Sequence, residues 1–116
     1  MNSANPWKKI YDRVGKAAAW EQLDEEAAEL SAIASKTARI LRGENPARMT
    51  YEEAEAKAIE EIADVFNALD VLDTGLVYEE REAPYLLTIA KRKKFPKMKR
   101  WYEDLFGKEE QGNETD

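Results

Sequence analysis

Glu25-Glu26-x-x-Glu29 and Glu61-x-x-Asp64 are the groups whose residue types and spacing best suit chemistry in this chain. In each, two carboxylates stand three residues apart, which on a helix places them on one face. Four carboxylates facing one another make a site for a hard cation, and such a cation suits phosphate-ester chemistry. It lowers the pKa of its bound water and so supplies a nucleophile where no histidine is available. The chain has neither histidine nor cysteine. That excludes histidine-based triads, the Glu-x-x-His ligands of di-iron bundles, thiolate zinc sites and disulfides.

The elements that must position these groups are helices. At 116 residues, with 36% charged and 43% hydrophobic residues and few Gly and Pro, the composition fits one soluble all-α domain. No stretch approaches the ~20 apolar residues of a membrane span, and no signal-peptide core is visible. A cytoplasmic location and no membrane partner are the expectation. Asn5-Pro6 reads as an N-cap and first helical residue, opening a helix over 6–18 that carries Trp7, Ile10, Tyr11 and Val14. A second helix is expected over 19–42, with a seam of Trp20, Leu23, Ala27, Leu30, Ala34, Thr37 and Leu41, ended by Gly43. Thr50-Tyr51-Glu52-Glu53 is a capping box for a third helix. Its seam reads Ala58, Ile62, Val65, Leu69 and Leu72, and Gly75 is expected to stop it. A fourth helix is expected from near Pro84, ended or kinked by Pro96. The fold class is then a four-helix-bundle-like single domain over 1–106, with a disordered acidic tail at 107–116.

The second and third helices are joined by a short loop, which predicts antiparallel neighbours. Measured from Arg42 and Thr50 at about 1.5 Å per residue, Glu29 and Glu61 lie about 20 and 17 Å from the turn. Glu26, Glu29, Glu61 and Asp64 each precede a seam residue by one, so both pairs flank the seam alike and can converge. Two carboxylates about 6 Å apart repel by roughly 3 kcal/mol at an effective dielectric of 20. Four together must bind a cation, take up protons or splay into water, and solvated helix faces are the plain alternative.

These residues resemble the motif of the MazG-like, all-α NTP pyrophosphohydrolase superfamily. Glu25-Glu26-Ala27-Ala28-Glu29 and Glu61-Ile62-Ala63-Asp64 carry the match. Trp20-Glu21-Gln22-Leu23 before the first half and Ser35-Lys36-Thr37-Ala38-Arg39 after it also fit. The resemblance covers about residues 7–95. The 31 residues between Glu29 and Glu61 exceed the usual gap, and the level hairpin arms argue that the site survives this. The resemblance implies four main helices and a homodimer or homotetramer. It implies Mg²⁺-dependent cleavage of nucleoside triphosphates between the α- and β-phosphates, with Mn²⁺ as a substitute. Carried over by position, Glu26, Glu29, Glu61 and Asp64 are the implied metal ligands, and Glu25 is an extra ligand or a group behind them.

A spare carboxylate could take the proton of the attacking water, Glu61 first and Glu26 second. Leaving pyrophosphate needs cations, and Lys91 and Lys94 are the candidates, with Lys36 and Arg39 weaker ones already explained by the helix end. Asn67 is a candidate for phosphate, sugar or a supporting role. Trp20 and Gln22 could stack on and read a base, although Trp20 also suits the core, as does Trp7. Seven of the 18 Lys and Arg residues fall within 91–100, leaving 11 against all 24 acidic residues elsewhere. An acidic body with one basic strip disfavours general nucleic-acid binding. The runner-up readings are a dUTPase or dCTPase specialist of the same superfamily and a non-catalytic helical interaction module.

Overall fold

Asn5 opens the first helix as its sequence predicts. Its side-chain oxygen accepts hydrogen bonds from the backbone N–H groups of Trp7 and Lys8 at 2.9 and 3.2 Å, and Pro6 follows at the first helical position. The computed structural model describes residues 5–44, 48–80 and 86–107. Among them are four α-helices and no strand: α1 (Pro6–Val14), α2 (Lys16–Leu41), α3 (Tyr51–Glu80) and α4 (Leu86–Phe106). Pro84 and the tail at 108–116 lie outside the described residues. The chain divides into two compact units, Met1–Glu82 with α1 to α3 and Ala83–Asp116 with α4.

In the first unit α2 and α3 form a long hairpin and α1 packs chiefly on α3. The hairpin ends are fixed by local chemistry. Gly43 adopts φ 71° just past α2, its N–H donating to the Ile40 carbonyl while the Glu44 N–H donates to that of Arg39. This Schellman arrangement satisfies carbonyls the helix leaves free and needs a left-handed residue, which glycine supplies without strain. At the start of α3, Thr50 Oγ1 accepts from the Glu53 N–H at 3.1 Å and Glu53 Oε1 accepts from the Thr50 N–H at 2.9 Å. The capping box therefore closes in both directions.

The seam is rotated from the expected one by one residue at alternate steps. On α2 the inward stripe is Ala19, Leu23, Glu26, Leu30, Ile33, Thr37 and Ile40; on α3 it is Ala54, Ala58, Glu61, Val65, Ala68 and Leu72. Leu23, Leu30, Thr37, Ala58, Val65 and Leu72 are common to both readings. The other steps go to Ala19, Glu26, Ile33 and Ile40 rather than Trp20, Ala27, Ala34 and Leu41, and to Glu61 and Ala68 rather than Ile62 and Leu69. Trp20 is 45% exposed and Leu41 68%, while Glu61 is 5% exposed. A spacing of three and four admits either set, and apolarity alone selects the wrong one because the true seam contains two glutamates. Small seam residues (Ala19, Ala54, Ala68) let the helices approach closely, and Thr37 satisfies its hydroxyl on the Ile33 carbonyl at 2.6 Å.

Gly75 does not end α3, which continues to Glu80. It is the docking point of α1: a β-carbon there would overlap the ring of Tyr11, which is buried. Trp7 Nε1 donates to Asn67 Oδ1 at 3.2 Å, Lys16 pairs with Glu79 at 3.4 Å, and the Lys8 ammonium lies 4.9 Å from the Tyr78 ring centroid. In the second unit α4 runs through Pro96 to Phe106 rather than ending there. Residues 91–100 are all exposed, so water can serve the Arg92 carbonyl that Pro96 leaves without a donor.

Candidate metal centre

The hairpin brings Glu26, Glu29, Glu61 and Asp64 together. One carboxylate oxygen from each lies within 4.8 Å of all the others. Carboxylate oxygens this close could converge on one small divalent cation with modest side-chain movement. Glu26 and Glu61 are the inner pair, in the seams of the two helices; Glu29, one turn nearer the α2–α3 loop than Glu26, and Asp64, one turn further from it than Glu61, are exposed.

Each inner glutamate is held in the same way. The residue four positions earlier on the same helix takes its Oε1: Gln22 Nε2 donates to Glu26 at 2.7 Å, and Lys57 Nζ pairs with Glu61 at 3.1 Å. In both cases the other oxygen, Oε2, is buried and has no hydrogen-bond partner. A buried carboxylate oxygen without a donor is costly unless a cation or proton meets it. The cluster's electrostatics agree. A hydrogen bond to the Glu61 side chain, repulsion from Glu26 and Glu61, some desolvation and repulsion from Glu25 together hold the Glu29 carboxyl above the usual range. The same Glu61 contact, with its charge, raises Lys57. An oxygen donor set with negative charge and no nitrogen or sulfur suits Mg²⁺, Mn²⁺ or Ca²⁺.

Beside the carboxylates lies a cavity of about 490 Å³ between α1, α2 and α3. Trp7, Ile10, Val14 and Val71 supply apolar wall, Gln22 and Asn67 supply amides, and Glu26 and Asp64 reach it from the cluster. Trp7, which suits the core from sequence, thus lines the cavity, 36% exposed; Trp20 is on the outer face of α2 and does not line it. Glu25 is exposed beside the cluster and acts on it through its charge. Lys91 and Lys94 are exposed on α4, in the second unit. Lys57 was not evident as a site residue, yet its signal is in the sequence: Lys57-x-x-x-Glu61 repeats the spacing of Gln22-x-x-x-Glu26.

No known protein family matches this chain, nor does any curated protein or any solved structure. Among the described residues, the fold and site define an all-α arrangement of four helices with a four-carboxylate cluster that could hold a divalent ion.

Proposed function

We propose that this protein is a divalent-cation-dependent nucleoside triphosphate pyrophosphohydrolase, the activity implied by its resemblance to the MazG-like superfamily. The observation that carries the reading is the pair of buried, unpartnered Oε2 atoms of Glu26 and Glu61 within a four-carboxylate cluster. Glu26, Glu29, Glu61 and Asp64 would hold Mg²⁺, which supplies charge neutralisation at the phosphates and an acidified water. The adjoining cavity, with its indole wall and two amides, suits a nucleoside.

The reaction requires little covalent chemistry from the protein. A water oxygen bonds to the α-phosphorus, and the bond from that phosphorus to the α–β bridging oxygen breaks. Pyrophosphate leaves with that oxygen and its electron pair. Glu61 or Glu26 accepts the proton of the water, and the Gln22 and Lys57 contacts keep both carboxylates aimed. Asn67 has its carbonyl oxygen occupied by Trp7, so its NH₂ group is the part left to donate to a ligand. A homodimer or homotetramer is part of the same proposal, supported by the exposed Ile59, Ile62 and Phe66, which share one side of α3.

The test is incubation with each common NTP and dNTP, and dUTP, in Mg²⁺, separating monophosphate plus pyrophosphate from diphosphate plus phosphate. The first product pair, lost with chelator and in Glu61→Gln, is expected. No turnover of any nucleotide by folded, Mg²⁺-loaded protein would refute the proposal.

A further inference from the structure

The acidic cluster has a cavity on either side of it along the hairpin. The first, described above, reaches toward α1 and is lined by Ala18, Ala19 and Gln22 of α2 and Asn67, Ala68 and Val71 of α3, beyond Glu26 and Asp64. The second, of about 350 Å³, lies toward the α2–α3 turn and is lined by Glu29, Ala32, Ile33, Lys36, Lys57 and Glu61. The two share no residue. They are also chemically opposite. The first has an indole, aliphatic wall and two amides but no cation; the second has two ammonium groups and no aromatic ring.

A nucleoside triphosphate has the same polarity, an uncharged heterocycle and sugar at one end and a polyanion at the other. Given the metal-dependent cleavage proposed above, we infer that Lys36 and Lys57 form the binding site for the β- and γ-phosphates and, after cleavage, for pyrophosphate. The substrate then lies along the hairpin, base toward α1 and terminal phosphate toward the turn. Lys57 can serve both Glu61 and a phosphate, because an ammonium has three donors and only one is committed at 3.1 Å. Its side chain is 53% exposed, so the remaining donors are open to a ligand. Lys36 stands one turn beyond Ile33, the buried seam residue that floors the same cavity. Its placement assigns it a task beyond the favourable electrostatics of a helix end.

Calorimetry on the full chain separates this inference from the metal reading. Mg²⁺ is titrated alone; then, at saturating Mg²⁺, pyrophosphate and a panel of nucleoside monophosphates are titrated separately. The expected result for Lys36→Ala is pyrophosphate binding weakened about ten-fold or more, with Mg²⁺ and monophosphate binding unchanged and Lys36→Arg restoring affinity. Lys57→Gln, which can still donate to Glu61, should weaken pyrophosphate similarly. Wild-type protein that takes up Mg²⁺ but binds pyrophosphate no more tightly than these two variants would overturn the inference alone. So would loss of pyrophosphate binding in Lys91→Ala/Lys94→Ala with none in Lys36→Ala. Wild-type protein that takes up no Mg²⁺ would overturn the metal reading, and this inference with it.

Discussion

Glu26 and Glu61 show how a residue can be legible in its chemistry and hidden in its environment. Their type and three-residue spacing to Glu29 and Asp64 suffice to pick out the cluster, because helix geometry is set by the backbone. That they occupy the seam itself is not readable, since the stripe is inferred from apolarity and a buried glutamate violates it. Repulsion within the cluster gives a prediction. Glu29→Gln should raise the metal-free melting temperature, because it removes a carboxylate held above its usual range by its neighbours, and should weaken Mg²⁺ binding about ten-fold or more. Calorimetry and thermal melts in chelator check both. Glu53 gives the opposite sign of pH dependence. Hydrogen bonds from the Thr50 backbone and side chain lower its carboxyl, so its contribution is present above its unfolded value of 4.5 and is lost as pH falls through the lower folded value. Glu53→Gln should therefore flatten that part of the acid-unfolding curve, followed by circular dichroism.

At the scale of elements, the caps are the most legible features and the glycine and proline inside helices the least. Asn5, Gly43 and Thr50 act through backbone groups a few residues away, so sequence alone places them. Thr50→Ala should cost about 1 kcal/mol in urea melts by removing the side-chain half of the capping box. Gly75 looks like a stop in the sequence because glycine weakens helices by about 1 kcal/mol, but its role depends on Tyr11, sixty-four positions earlier in the chain. Propensity predicts that Gly75→Ala stabilises α3; the overlap with the Tyr11 ring predicts a loss of about 1–3 kcal/mol, and the overlap should win. In a Tyr11→Ala background the same substitution should become neutral or stabilising, which a double-mutant cycle of urea melts would read directly.

For the whole molecule, helical class and an acidic first unit follow from composition, whereas the two cavities do not, because each draws on residues far apart in sequence. Trp7 reaches the first only because α1 docks on α3, and Lys57 reaches the second only because the hairpin is level. A cation bound by the folded state alone stabilises it by about 2.7 kcal/mol at one hundred times its dissociation constant, so Mg²⁺ at that level should raise the melting temperature by about 10 °C. Glu61→Gln should show little of that rise. The most direct measurement is a calorimetric titration of Mg²⁺, and separately Mn²⁺, into folded wild-type protein and folded Glu61→Gln. Saturable binding by the wild type, lost or greatly weakened in the variant, is the predicted result; folded wild-type protein that takes up neither ion at millimolar concentration would contradict the claim that the four carboxylates form a metal centre.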